Sequence, residues 1–206
     1  MNSKCIRVGL FQTNCYIVED GSFYAVIDPG DEFDTIEQNL TKEPTHIIIT
    51  HAHFDHVGAL KQLHTKYPNA LIAIGEHEEL NPETTVQEAK YVLGSAFYMA
   101  GFGKTDLQMP KPDILLKDGD TIGPFEVLFT PGHSFGSICL LNSKDKIMFS
   151  GDTLFRHNHG RTDINGSYEL IIKSLKRLLK LDGQIKVYPG HEGPTSIGEE
   201  KIFFNF

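Results

Sequence analysis

The chain has 206 residues, of which 40% are apolar and 22% are charged, so it is long enough to bury a sizeable core. These proportions exclude collagen-like, low-complexity and wholly disordered proteins. Nineteen Lys and Arg against 27 Asp and Glu leave a formal charge of −8, which disfavours nucleic acid and anionic lipid as partners. Ten His is a high count, and His binds metals and transfers protons near neutral pH.

The first third of the chain predicts an antiparallel meander, followed by alternating helices and buried strands. The predicted strands cover residues 4–8, 14–18, 23–28, 45–50 and 70–74. One predicted helix covers residues 34–40, and a second begins at Val57 and ends before Pro68. Strand, helix and strand in this order are typical of an α/β fold.

The middle of the chain predicts two acidic helical pieces over 76–80 and 86–93 and a glycine-spaced loop within 94–112. After it, strands are predicted over 114–117, 125–130, 137–141, 146–150 and 184–188. Between the last two strands, Ser167 is expected to cap a helix whose apolar stripe includes Ile171 and Leu175. The second half therefore repeats the order of the first, and one domain is expected over 1–206.

The three cysteines, Cys5, Cys15 and Cys139, are an odd number without a C-x-x-C pair. They predict buried free thiols rather than a disulfide framework or a Cys-rich zinc site. The chain contains no run of 18 apolar residues, and its first 20 residues lack the apolar segment of a signal peptide. We therefore expect a cytoplasmic protein without a membrane partner.

Metal-binding residue types follow four of the predicted strands, at the point where each strand ends. These residues are His51, His53, Asp55, His56, His133, Asp152 and His191. Loops at the carboxyl ends of strands converge in sheet proteins with helices on their faces, so these side chains can meet. Imidazole and carboxylate without thiolate favour zinc, iron(II) or manganese.

The cluster over 51–56 has no advantage for packing, because its three imidazoles repel one another when protonated. His51 and His53 can bind one ion, while the side chains of Asp55 and His56 are turned toward the position of a second ion. Seven ligands exceed the roughly three that a catalytic zinc takes from a protein. We therefore expect two divalent ions, with zinc first and iron or manganese as alternatives. A carboxylate such as Asp152 could bridge them around a hydroxide nucleophile.

Four motifs carry a family resemblance: THAHFDH at 50–56, PGH at 131–133, SGDTLF at 150–155 and PGH at 189–191. With them the chain resembles the metallo-β-lactamase-fold hydrolases. Among these it is most similar to the compact single-domain form of the glyoxalase II-like, hydroxyacylglutathione hydrolase-type branch. The resemblance runs almost end to end, from GLFQTN at 9–14 to GPTSIGE at 193–199.

This resemblance implies a four-layer αββα sandwich, in which two mixed β-sheets are flanked by helices and the metals lie at one edge. It also implies a partition of the donors. One ion would bind His51, His53 and His133, and the other Asp55, His56 and His191, with Asp152 as the bridge. Asp55 and Asp152 would then be the catalytic carboxylates.

The chain departs from the family pattern in two places. Full-length glyoxalase II has a helical C-terminal domain that holds the glutathione moiety, whereas 15 residues follow His191 here, so no such domain is expected. Glu192 also separates His191 from the Gly-Pro pair at 193–194, where the family more often has the His directly before Gly-Pro. We interpret this as a local variation of the loop.

Two further residues have a functional and a structural interpretation. Asp28 ends a predicted strand, and it either orients a ligand histidine through a hydrogen bond or forms a turn. Arg161 follows the Asp152 loop, and its guanidinium either binds an anionic group of the substrate or pairs with Asp163.

The resulting hypothesis is a dinuclear metal-dependent thioesterase that cleaves acylated small thiols such as S-lactoylglutathione, as a monomer or small homo-oligomer. One alternative is a persulfide dioxygenase with a single iron(II), and another is a hydrolase of a different ester, a lactone or a phosphodiester. A di-iron redox module and a structural metal site are further, less favoured alternatives. The redox module normally works with a flavin-binding domain or partner, and 206 residues leave no room for such a domain. Structural metal sites are closed and Cys-rich, whereas these donors are His and Asp with no Cys near them.

Overall fold

In a computed structural model, which describes residues 1–99 and 109–205, the chain forms two six-stranded sheets flanked by helices, as predicted. The first sheet contains, in spatial order, β1 (Asn2–Val8), β2 (Thr13–Asp20), β3 (Phe23–Ile27), β4 (His46–Ile49), β5 (Leu71–Gly75) and β6 (Ile114–Leu116). The meander β1-β2-β3 is antiparallel, whereas the strands from β3 to β6 run parallel. This sheet is therefore mixed.

The second sheet comes from the other half of the chain. Its strands are β7 (Thr121–Ile122), β8 (Phe125–Phe129), β9 (Ile138–Asn142), β10 (Ile147–Gly151), β11 (Lys186–Pro189) and β12 (Thr195–Ser196), adjacent in that order. Neighbours in it are antiparallel except for β10 and β11, which run parallel. Both halves thus place parallel strands next to an antiparallel meander.

Apolar side chains hold four layers together. Ile48 of the first sheet and Phe125 and Phe149 of the second lie in the core between the sheets, which excludes water from both inner faces. The helices in the described ranges are α1 (Phe33–Asn39), α2 (Phe54–Val57), α3 (Leu60–Lys66), α4 (Pro82–Leu93), α5 (Ala96–Met99), α6 (Tyr168–Leu178) and α7 (Ile197–Phe203). Helices α1 and α3 cover the outer face of the first sheet, and α6 and α7 cover that of the second. Helices α4 and α5 pack against α2 instead.

Helix α6 forms for the reasons that its sequence indicates. The Ser167 hydroxyl accepts a hydrogen bond from the Leu170 amide at 3.4 Å, which caps the first turn. Ile171, Leu175 and Leu178 recur at helical spacing and are buried against the second sheet. The outer face of this sheet is therefore covered as the sequence predicts.

Three predictions of local structure were wrong. Residues 76–80 are not helical, because the Glu78 carboxylate accepts hydrogen bonds from distant partners, including the Ser134 hydroxyl at 2.6 Å. Two helices, α2 and α3, replace the single helix predicted from Val57 to before Pro68. They separate at Gly58, where a side chain would collide with the Gly30 carbonyl oxygen. The third, burial of all three thiols, fails at Cys5, which is exposed.

Some features lie outside these predictions or outside the described residues. The two-residue strands β7 and β12 and the C-terminal helix α7 were not anticipated, because their apolar patterns are too short. The predicted loop over 94–112 falls largely on residues 100–108, which lie outside the described residues. Within the described ranges, no helix has both the length and the apolar composition needed to cross a bilayer.

Candidate metal centre

Loops at the carboxyl ends of four strands bring the predicted donors to one edge of the two sheets. The loop after β4 and the short helix α2 position His51, His53, Asp55 and His56. His133 follows β8, Asp152 follows β10 and His191 follows β11. All seven side chains meet at this edge, although up to 140 positions of sequence separate them.

Three imidazoles form the first donor group. Nδ1 of His53 lies 2.7 Å from Nε2 of His133, which lies 3.1 Å from Nε2 of His51. Burial lowers the pKa of all three, that of His53 to about 3, so the rings are neutral at pH 7. Neutral rings whose nitrogens converge on one another place three lone pairs where a cation would bind.

The second donor group combines imidazole and carboxylate. Nε2 of His191 lies 3.2 Å from Oδ2 of Asp55 and 3.3 Å from Nε2 of His56. Burial alone would lower the pKa of both histidines, but the carboxylates of Asp55 and Asp152 outweigh it and raise both values. Burial would raise the pKa of Asp55, but the His56 charge and the His191 hydrogen bond hold it below its usual value.

Asp152 lies between the two groups. Its Oδ2 is 3.5 Å from Nε2 of His133 and 3.5 Å from Nε2 of His191, and its Oδ1 is 3.5 Å from Nε2 of His56. Oδ1 is buried and has no hydrogen-bond partner among the described residues. Burial would raise the pKa of this carboxyl, but the facing histidines, His56 foremost, hold it well below its usual range.

These observations test whether the donors fit two divalent cations. The ligand atoms of each group lie within 4.8 Å of one another, and Asp152 joins His51 and His56 in a third set of the same size. A buried, unpartnered carboxylate oxygen is costly unless a cation or proton compensates it. The residues therefore fit a pair of divalent ions that share one carboxylate.

Four of the site imidazoles have an oxygen atom close to Nδ1, the ring nitrogen that faces away from the donor groups. The pairs are His51 Nδ1 with Thr50 Oγ1 at 3.1 Å, His56 Nδ1 with Asp28 Oδ2 at 3.2 Å, His133 Nδ1 with the Arg161 carbonyl at 2.7 Å and His191 Nδ1 with the Phe11 carbonyl at 3.1 Å. On His51, His133 and His191 a hydrogen bond at Nδ1 fixes the tautomer and leaves Nε2 as the free donor, as metal-binding histidines require. Nδ1 of His56 faces the Asp28 carboxylate as an ion pair and makes no hydrogen bond to the described residues.

Asp28 shows features of both of its predicted roles. It follows β3 with a positive φ of 51°, which is typical of a turn residue. Its carboxylate also accepts hydrogen bonds from the Thr50 amide at 2.8 Å and the Thr50 hydroxyl at 2.7 Å while it faces His56. The turn therefore places a buried carboxylate behind the second donor group.

A cavity of about 520 Å³ opens beside the donors. Its apolar walls include Phe11, Phe54, Val92, Phe155 and Ile164. Arg161 also lines it, but its guanidinium forms a two-pronged pair with Asp163, at 2.8 and 2.6 Å. The cavity thus combines an apolar pocket with a cluster of charged groups, the usual form of a small-molecule site.

Sequence reasoning missed one buried acid in this cavity. Glu88 of α4 is 8% exposed, and its Oε1 accepts a hydrogen bond from the Asn165 side chain at 2.8 Å. Burial raises the pKa of this carboxyl to about 7, against the opposing effect of the Asn165 hydrogen bond. Nothing in the local sequence of α4 distinguishes Glu88 from the exposed Glu83, so only its tertiary surroundings reveal it.

Comparison with known proteins identifies related chains. The profile of the metallo-beta-lactamase superfamily matches residues 8–191. The chain is 33% identical to the hydroxyacylglutathione hydrolase GloC of Haemophilus influenzae, over 98% of this chain and 95% of that protein.

Two solved structures share the fold. TTHA1623, crystallised in a di-iron-bound form, superposes with a TM-score of 0.79 at 32% identity and covers 96% of both chains. The B3 metallo-beta-lactamase BLEG-1 also superposes with a TM-score of 0.79, at 31% identity over 98% of this chain and 97% of that one. Two mixed sheets flanked by helices are therefore shared with these relatives.

Proposed function

The chain belongs to the metallo-β-lactamase superfamily of metal-dependent hydrolases, and from this premise we propose that it is a thioesterase that cleaves acylated small thiols at a dinuclear centre. The position of Asp152 carries this proposal. One buried carboxylate faces histidines of both donor groups at 3.5 Å, which is the arrangement that two neighbouring cations require.

We assign the cations to the residues present. His51, His53 and His133 would hold one ion, Asp55, His56 and His191 the other, and Asp152 would contact both. When bound, such ions polarise an acyl carbonyl and activate water near neutral pH. Zinc is our first choice, with iron or manganese as alternatives, because imidazole and carboxylate suit all three and TTHA1623 holds two irons.

The protein's own groups then bind and orient the substrate. Phe11, Phe54 and Phe155 would pack against its apolar portion and exclude water from the reacting bond. A thiol has a pKa near about 8.5, so a thiolate leaves without a strong protein acid. No cysteine nucleophile is required. Burial raises the pKa of Cys139 to about 11, despite the opposing hydrogen bond from Thr130, which makes that thiol a poor nucleophile at neutral pH.

The substrate class is proposed from a relative and from the cavity. GloC is named a hydroxyacylglutathione hydrolase, which supports an S-lactoylglutathione-like thioester. Arg161 could bind an anionic group of such a substrate if its guanidinium exchanges Asp163 for the ligand. Asp163 is exposed, so this exchange breaks a solvent-screened ion pair of modest strength.

Hydrolysis of S-lactoylglutathione by the metal-loaded protein tests the proposal. Wild type would be assayed beside Asp55→Ala and Asp152→Ala, with Asp182→Ala as the control, since Asp182 is exposed and pairs with Lys146 instead. Metals per chain would be counted on the same samples. We expect turnover with close to two metals, lost in both site variants and retained in the control.

Other outcomes would replace the thioesterase. Absence of turnover with about one iron per chain would favour the persulfide dioxygenase. Absence of turnover with two metals would overturn the thioester substrate, and an ester, a lactone and a chromogenic cephalosporin would then be assayed. The cephalosporin is included because BLEG-1 is a B3 metallo-beta-lactamase.

A further inference from the structure

The five site histidines differ in how their outward-facing ring nitrogens are supported. On His51, His133 and His191 this nitrogen lies 2.7 to 3.1 Å from a hydrogen-bonded oxygen atom. On His56 it makes no hydrogen bond to the described residues but lies 3.2 Å from an oxygen of the Asp28 carboxylate, which faces it as an ion pair. On His53 it is Nε2, because Nδ1 faces the donor group. Nε2 of His53 is buried and has no hydrogen-bond partner in the part of the chain that the structure describes.

A neutral His53 that offers Nδ1 to a cation must carry its proton on Nε2. That proton needs an acceptor, because a buried N–H without a partner costs about 1–3 kcal/mol. The nearby carboxylate oxygen is Oε1 of Glu88, 4.0 Å from Nε2. A displacement of about 1 Å would bring the two atoms within hydrogen-bond distance.

The surroundings of Glu88 fit this task. Helix α4 carries it into the wall of the cavity, and the Asn165 amide holds its Oε1 from the other side. A buried carboxylate is expensive unless a hydrogen-bond donor compensates it, and His53 Nε2 is a buried donor that lacks an acceptor. Each group therefore meets the need of the other.

We propose that Glu88 is a positioning residue that accepts the Nε2 proton of His53 and thereby holds Nδ1 of that ring on the first donor group. The inference rests on the metal centre of the proposed function but not on its substrate. A carboxylate behind a metal-binding imidazole orients the ring and raises its basicity. Helix α4, which supplies no metal ligand to this assignment, would thus tune one of the two ions.

Zinc affinity tests this role directly. Wild type, Glu88→Ala, Glu88→Gln and Glu83→Gln would each be titrated with zinc against a chelator of known affinity. Glu83 is the matched control, because it lies on the same helix and is exposed. We expect Glu88→Ala to lower the zinc affinity of one of the two ion sites by roughly 10–100-fold and to leave the affinity of the other unchanged. Glu88→Gln keeps an acceptor without the charge, so a smaller loss is expected, and none for Glu83→Gln.

Nitrogen-15 spectra of the zinc-loaded proteins supply a second readout. Wild type and Glu83→Gln should show an Nε2–H proton of His53 that exchanges slowly with solvent, and Glu88→Ala should lose it. Wild-type zinc affinity together with an unchanged proton in Glu88→Ala would overturn the inference. If Glu88→Ala does not fold, Glu88→Gln decides, since unchanged affinity there would also overturn it.

This test is independent of the thioesterase assay. A wild-type protein that binds two zinc ions but does not hydrolyse thioesters would contradict the proposed substrate. The affinity difference between Glu88→Ala and wild type would still decide the role of Glu88.

Discussion

The two donor groups lie side by side but satisfy their charges in different ways. The first consists of three buried imidazoles, and burial lowers the pKa of each. The second contains a carboxylate, and its histidines have raised pKa values because Asp55 and Asp152 face them. Without a cation, the second group can hold itself together by ion pairs, whereas the first has nitrogens facing nitrogens. The first group therefore depends more on a metal.

Removing one histidine from each group would test this difference most severely. We expect His133→Ala to release the ion of the first donor group. Turnover should fall by more than the roughly 100-fold that is typical of losing a group that hydrogen-bonds to a metal ligand. His191→Ala should cost less, because that ring is 19% exposed in its side chain and its position can admit water. Metals per chain and turnover of both variants are the measurements. Equal losses in the two variants would contradict the comparison.

Gly190→Ala would disturb the carboxylate between the groups without removing a ligand. A Cβ at Gly190 would lie 2.2 Å from Oδ1 of Asp152 and 2.7 Å from Cε1 of His56, so these side chains must move. We expect turnover to fall by about 10–100-fold, as when other groups that position metal ligands are lost. Circular dichroism should show that the fold is retained. Gly193→Ala is the control, because a Cβ there meets nothing within 4 Å of the described structure. Wild-type turnover in Gly190→Ala would show that Asp152 tolerates displacement.

Asp28→Ala would test how much the carboxylate behind the second donor group contributes to the stability of the fold. Loss of its carboxylate leaves the buried amide and hydroxyl of Thr50 without their acceptor. We expect the free energy of unfolding to fall by about 1–3 kcal/mol in urea denaturation. Asp28→Asn retains one acceptor oxygen and should lose less. If both variants unfold at the wild-type urea concentration, the hydrogen bonds to Thr50 contribute nothing to stability.

An exposed carboxylate gives the smallest effect and a scale for the buried ones. Asp118 accepts hydrogen bonds from Arg177 at 2.8 Å and from the Phe129 amide at 2.8 Å. Burial opposes the shift, but the Arg177 hydrogen bond and then the Phe129 amide dominate and lower the pKa of Asp118. A lowered pKa in the folded state stabilises the protein above the unfolded value of about 3.9, and this stability is lost as the pH falls through the folded value.

Asp118→Asn should therefore be less stable than wild type at pH 7, and the difference should shrink toward pH 2. Because the pair is about half exposed, the difference at pH 7 should stay below about 1 kcal/mol and decrease in high salt. Urea denaturation at the two pH values measures it. A difference that grows as the pH falls would contradict the assigned direction.

The sequence predicts the fold class and the location of the donors because both depend on local patterns. Buried strands such as β4 read as continuous apolar runs, and the donors follow them directly. The fold class is confirmed by the two mixed sheets and by the relatives. The assignment of each donor to an ion came from the resemblance and stays a prediction, which the distances support.

What the sequence could not predict depends on distant contacts. Glu88 is buried because Asn165 and His53 approach α4 from other parts of the chain, and its neighbours in sequence contain no sign of this. Residues 76–80 have the composition of a helix, but hydrogen bonds from Ser134 and Gly136 to Glu78 hold them in another conformation. Tertiary hydrogen bonds override local preference at both places.

The convergence of loops from both sheets has a consequence for folding. His51 belongs to one half of the molecule and His133 and His191 to the other, so the donors meet after the sheets have packed together. A ligand that binds the native state and not the unfolded chain adds its binding free energy to folding. Bound divalent cations would therefore hold the two halves of the molecule together. A chelator would lower both the midpoint temperature of thermal unfolding and the cooperativity with which the two halves unfold.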